Sequence, residues 1–168
     1  MVKKTLHRRY NAAKQASQKA GEFFLYTLFI ALPLYLLFSS TTFLHEIAAR
    51  LSQVFLSLLG KASVLSFNGV PFLQVENLSV EISNLCSGGL ELALLAGFIL
   101  ASKDRTKKHR AKGLVAGFLF FTVFNAARIA FTVNSFGTVW FEPLHEALFR
   151  VVLIIGLVTF YAIWYYWD

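Results

Sequence analysis

Few residues in this chain are suited to chemistry, and they recur at one kind of place. Cys86 is the single cysteine and opens CSGGLELALLAG, where a polar stretch gives way to a long apolar run. A lone thiol there is either a small apolar packing group or a nucleophile, depending on its surroundings. Arg128 sits inside FLFFTVFNAARIAFTV. An arginine in a hydrocarbon-facing run costs at least ~2.5 kcal/mol, so it calls for a partner or a function. Glu91, five residues after Cys86, is the expected ion-pair partner. Asn125 precedes Arg128 by three residues on the same helical face, where it can orient the guanidinium, donate to a substrate carbonyl or bond another helix. His145 begins a further apolar run and can transfer protons near neutral pH. Arg150 lies five residues beyond it.

Together these groups describe acyl transfer. Glu91 against Arg128 and Arg150 leaves one positive charge in excess, which a Cys86 thiolate would balance. Cations favour the thiolate, the nucleophilic form of cysteine. Ser87 and Gly88, with Gly89, leave room at a helix start for backbone N–H groups to meet an anion, although small residues also serve close helix packing. Histidine occurs in two similar settings, LHEIAAR at 44–50 and LHEALFR at 144–150. His145 and His45 therefore both remain open as the base. A metalloprotease is disfavoured by the lack of His-Glu-x-x-His, and a serine hydrolase by the lack of Gly-x-Ser-x-Gly. With one cysteine there is no internal disulfide and no cysteine-based zinc site, so neither metal nor cofactor is expected.

The elements that must position these groups belong to a membrane. Of 168 residues, 57% are hydrophobic and 18 are Phe, with a mean hydropathy of +0.59. A soluble domain of this size needs a more polar surface. Twelve of the 16 basic residues fall in residues 1–20 and 103–112, both flanking apolar runs. That is the pattern of cytoplasmic membrane loops, so the basic excess sets topology and no nucleic-acid partner is expected. Four runs, 22–39, 85–102, 113–134 and 147–167, approach the ~20 residues that cross a bilayer. Residues 43–60 read as an amphipathic helix at the interface or on the bundle, with Leu44, Ile47, Leu51, Val54, Phe55 and Leu58 at helical spacing. If that helix does not cross, both basic segments lie inside.

The expected fold is therefore an all-α integral membrane protein of about four transmembrane helices, with an interfacial amphipathic helix and a small extracytoplasmic β-hairpin. It reads as a single membrane domain over 1–168. Residues 1–21 form a basic cytoplasmic segment, 22–39 the first span, 40–84 the external helix and hairpin, and 85–167 a three-span catalytic bundle. Asn68-Gly69 marks the hairpin within 63–83. Tyr161, Trp164, Tyr165, Tyr166 and Trp167 form an interfacial belt at the inner end of the last span. On this map Cys86, Arg128 and His145 approach the outer face from three helices. Arg128 and Glu91 lie ~8 Å below it, at 1.5 Å per residue.

At CSGG (86–89), NAARI (125–129) and the downstream His145, the chain resembles the exosortase/archaeosortase family of membrane cysteine transpeptidases, over roughly residues 80–150. The resemblance implies Cys86 as nucleophile, Arg128 as essential cation and His145 as the proton-transfer residue. It also implies as partner the C-terminal sorting-signal helix of surface proteins, with membrane lipid as an acyl acceptor. Two other functions compete. A transporter or channel subunit would spread polar groups through the membrane depth, whereas Glu91, Asn125, Arg128 and Arg150 crowd one half. A non-enzymatic assembly protein would tolerate loss of the thiol.

Overall fold

Helix α1, Val2–Ser39, runs without a break from the basic N-terminal segment into the first apolar run. The computed structural model describes the backbone of residues 2–84, 86–146 and 151–167, and side chains over 14–15, 17–67, 69–84, 86–143 and 151–167. The remaining described elements are α2 (Phe43–Leu58), β1 (Ser63–Asn68), β2 (Val70–Val75), β3 (Leu78–Glu81), α3 (Gly89–Ala101), α4 (Lys107–Asn134), α5 (Phe141–Glu146) and α6 (Leu153–Tyr166).

Two stretches are long and apolar enough to cross a bilayer, Ser17–Ser39 within α1 and Lys107–Asn134. The first turns Phe24, Leu25, Phe29, Leu32, Leu36 and Leu37 outward, as a lipid-facing helix does. The expected count of four spans is not met by four long helices. Helix α3 has 13 residues and α6 has 14, both short of the ~20 that span the hydrocarbon core. The cause in α3 is local. The turn through Cys86–Gly88 consumes the first residues of the 85–102 run, and Gly88 enters the helix from a left-handed conformation (φ 80°) that glycine adopts without strain. Of the 147–167 run, 147–150 lie outside the described residues.

Close packing joins these helices. A Cβ on Gly97 of α3 would come within 2.7 Å of the Thr27 carbonyl oxygen of α1, and Thr27 and Ala31 are buried beneath it. Small residues at such a crossing let backbones approach in an apolar medium. Gly117 of α4 accepts Leu95 of α3 in the same way, and Gly113 accepts the Trp164 ring of α6. At this end the aromatics of α6 are also tied by polar contacts. Tyr161 and Ser102 share a hydrogen bond of 2.8 Å, Trp164 Nε1 donates to the His109 carbonyl, and Arg105 lies over the Tyr165 ring. The basic loop and the aromatic belt therefore meet, as an interfacial layer requires.

The expected hairpin is a three-stranded antiparallel meander in the order β1-β2-β3, so the chain is mostly helical and not all-α. Asn68-Gly69 makes the first turn, with Gly69 at φ 78°, and Phe67 opposite Pro71. The third strand arises because Ile82 continues the ladder, its N–H donating to the Pro71 carbonyl, and buries its side chain. Helix α2 covers this sheet and packs on α4. Its buried face is Leu44, His45, Ala48, Ala49, Ser52 and Leu56, whereas Val54 and Leu58 of the expected apolar stripe point outward. The small residues win because they allow contact: Ser52 Oγ donates to the Ala48 carbonyl at 2.7 Å and reaches the Ala126 carbonyl of α4 at 3.2 Å. Leu56, Leu73, Ile82, Ile129 and Val133 form the core between α2, sheet and α4. Leu92, Leu95, Ile99, Phe121 and Leu157 form a second core between α3, α4 and α6.

Candidate active site

The site grows from the junction between β3 and α3. Beyond Ile82 the chain folds into a tight turn in which the N–H groups of Cys86 and Ser87 both donate to the Ser83 carbonyl at 3.0 Å. Ser87 Oγ donates to the Asn84 carbonyl at 2.8 Å and accepts from the Gly89 N–H at 3.4 Å. The amides expected to open toward a ligand are thus largely spent within the turn. What the turn presents is the half-buried Cys86 and its carbonyl.

That carbonyl is the meeting point of α3 and α4. Asn125 Nδ2 donates to the Cys86 oxygen at 2.7 Å. Asn125 Oδ1 in turn accepts from Arg128 Nε at 3.1 Å and Nη2 at 2.9 Å. Nη2 also reaches the Cys86 carbonyl oxygen at 3.5 Å. Asn125 is 2% exposed and Arg128 6%, so these charge-assisted contacts lie where water competes little. Gly88 makes the arrangement sterically possible, since a Cβ there would press on the Asn125 amide at 3.2 Å. Asn125 therefore both orients the guanidinium and bridges two helices.

The Glu91–Arg128 ion pair is corrected. Among the described residues the ion pairs are Lys61–Glu76 and Arg105–Asp104. Glu91 stands at the third position of α3, in its first turn. An acid there is favoured by the helix dipole. Its Oε2 is buried without a hydrogen-bond partner. Glu91 and the Cys86 thiol both lie within electrostatic range of the guanidinium, but Asn125, one turn away on the same helix, supplies its oxygen.

Cys86 and Arg128 line one wall of a cleft of about 160 Å³, closed by Val80, Ile129, Val133 and Phe141 among others. Thr132 also lines it, one turn beyond Arg128, so its i+4 spacing from the arginine was the available sequence signal. Val80 and Phe141 carried no such signal, because the sheet and α5 bring them in from afar. The backbone of His145 belongs to α5; its side chain, like all of Arg150, lies outside the described residues. His45 is 4% exposed, with Nδ1 3.1 Å from the Thr41 carbonyl oxygen. It lines a separate polar cavity of about 310 Å³ that Ser83 and Asn84 of the cysteine turn also border.

The model of the transmembrane exosortase family matches residues 13–164, nearly the whole chain. The chain belongs to the exosortase/archaeosortase family. The match extends well beyond residues 80–150, where the motif resemblance lies, and includes most of α1 and all of α2. With the two long apolar helices it makes this a membrane protein. Among curated proteins the chain is similar to a probable archaeosortase D of Methanocaldococcus jannaschii, at 28% identity over 78 residues. That alignment covers 46% of this chain and 51% of the relative, so the chain spans about half the length of the curated relative it matches. No solved structure matches the chain.

Proposed function

We propose that this family member is a membrane-embedded cysteine transpeptidase or protease that processes C-terminal sorting signals of membrane-anchored surface proteins. The single supporting observation is the buried relay from Arg128 through Asn125 to the Cys86 carbonyl, which keeps a permanent cation beside the only thiol. In this reading a substrate helix lies against the bundle with its scissile peptide at the outer face. The Cys86 thiolate attacks the carbonyl carbon, and Arg128 stabilises the oxyanion that forms. Arginine stays charged, so it serves as an electrostatic group and not as a base. The C–N bond breaks as His145 donates a proton to the leaving amine, which leaves a thioester on Cys86. An incoming lipid amine or water then attacks the thioester and gives its proton to His145. The thiolate is released.

The support for His145 is its position in α5, one turn after the cleft residue Phe141. Asn125 is a positioning residue, Ser87 and Gly88 shape the turn, and Glu91 and Arg150 adjust the local field. Four spans with both termini cytoplasmic complete the reading, with α3 and α6 crossing as short helices. The distribution of basic residues supports it. The test is Cys86→Ala in the full chain, scored on a reporter that ends in a sorting motif, a transmembrane helix and a basic tail. Processing is expected to stop while the variant accumulates in the membrane at the normal level. Continued processing by Cys86→Ala would sink the enzymatic reading.

A further inference from the structure

The cleft beside Cys86 carries more than the reaction type. Its walls come from opposite parts of the fold: Leu78 and Val80 from β3, Ile129 and Val133 from α4, and Phe141 from α5. Apart from Arg128 and Thr132 it is lined by apolar residues and Cys86. Its volume, about 160 Å³, is close to the ~150 Å³ of an engineered apolar cavity that takes up benzene. A thioester on Cys86 puts the substrate's α-carbon two bonds from Sγ, so the acylated residue's side chain must enter space that the cysteine itself lines. On the other side of the turn, Asn125 and Gly88 are buried and fill the space behind the Cys86 carbonyl. Within the described sheet β3 pairs with β2 alone, which leaves its outer edge able to carry an extended peptide by strand addition.

We propose that this cleft is the acyl-side specificity subsite, and that it takes one bulky apolar side chain, of the size of phenylalanine or leucine, on the residue whose carbonyl Cys86 attacks. The occupant is an extended segment of the substrate running beside β3, and the proposal rests on Cys86 being the nucleophile. Polar side chains are disfavoured at this position because, apart from Arg128 and Thr132, the lining offers them no hydrogen-bonding partner. The guanidinium of Arg128 is held at the cleft wall by Asn125 Oδ1, which accepts from its Nε and Nη2. The specificity-determining residues are Val80 and Leu78, which are half-buried and set the width of the cleft from the sheet side.

The full chain in proteoliposomes is labelled with N-acetylated peptidyl chloromethyl ketones that end in Phe, Ala or Asp. The thiolate displaces chloride and forms a thioether, and each rate is divided by that of iodoacetamide, which needs no side-chain pocket. The Phe ketone is expected to label Cys86 about 10- to 100-fold faster than the Ala ketone, the scale on which apolar pockets discriminate. The Asp ketone is expected to be the slowest. Val80→Trp and, independently, Leu78→Trp fill the cleft and bring the Phe rate down to the Ala rate. If one variant fails to accumulate, the other carries the comparison. Equal normalised rates for the three ketones, or a Phe preference that survives both substitutions, overturn the subsite. If Cys86-dependent processing of the reporter persists in that case, the enzymatic reading stands and only the subsite falls. Processing that continues in Cys86→Ala overturns both.

Discussion

Asn125 is the residue on which the site's geometry depends most, and its replacement separates structural from catalytic effects. Asn125→Ala removes the bond from Nδ2 to the Cys86 carbonyl and the single oxygen that accepts from both Nε and Nη2 of Arg128. A neutral hydrogen bond is worth about 1 kcal/mol net and one to a charged group about 1.5–3 kcal/mol. The two guanidinium bonds share an acceptor, so they do not count twice. Arg128 is 6% exposed but keeps its contact with the Cys86 carbonyl at 3.5 Å, so the cost is that of the lost bonds. The expected loss of stability is therefore about 2.5–4 kcal/mol, read as unfolding in mixed micelles by tryptophan fluorescence. Asn125→Asp should behave differently. Its carboxylate can pair with the guanidinium, which holds stability within about 1 kcal/mol of the parent. It has no donor for the Cys86 carbonyl, however, and it cancels the charge that favours the thiolate. Processing should then fall by about 10²- to 10³-fold, the scale seen when one oxyanion donor is removed. An Arg128→Met, Asn125→Leu double variant should recover much of the stability lost in Asn125→Ala, because apolar replacement of both partners removes a buried charge together with its desolvation cost. An Asn125→Ala protein as stable as the parent, or an Asn125→Asp protein with full processing, would refute the relay.

Further outcomes follow from the same contacts. His145→Ala should lower reporter processing by about 10²- to 10⁴-fold, the contribution typical of a proton-transfer group, while His45→Ala should change it by less than ten-fold; the reverse ranking assigns the base to His45. Gly97→Val should destabilise the protein by about 1–3 kcal/mol through overpacking against Thr27 and Ala31, measured as lowered resistance to SDS unfolding. In a Cys86→Ala background, single cysteines at positions 108 and 140 should be labelled by a membrane-impermeant maleimide from opposite faces of intact cells, with 140 reached from outside. Labelling of both from one side contradicts a crossing by α4.

Much of this protein is legible along the chain. Membrane character follows from hydropathy and from basic residues confined to two segments, since both are local properties that no fold can reverse. The Asn68-Gly69 turn is legible because glycine there meets a backbone requirement. Cys86, Asn125 and Arg128 declare themselves as polar groups in apolar surroundings, where each must find a partner. The third strand was not legible, because its pairing depends on Ile82 being buried by α2 and α4. The lengths of α3 and α6 also escaped hydropathy, which runs on through the turn at Cys86–Gly88 without sensing it.

What only tertiary structure decided is which partner each polar group took. Sequence alone offered Glu91 to Arg128, since both lie at a similar depth below the boundary. Depth says nothing about rotation, however, and rotation is set by the close α3–α4 crossing and by the room that Gly88, lacking a Cβ, leaves for the Asn125 amide. The same crossing spends the turn's amides on Ser83 and turns the Cys86 carbonyl toward Asn125. Residue types along one chain are a local record, whereas the cleft between β3 and α4 is a meeting of segments about 50 residues apart, and only packing brings them together.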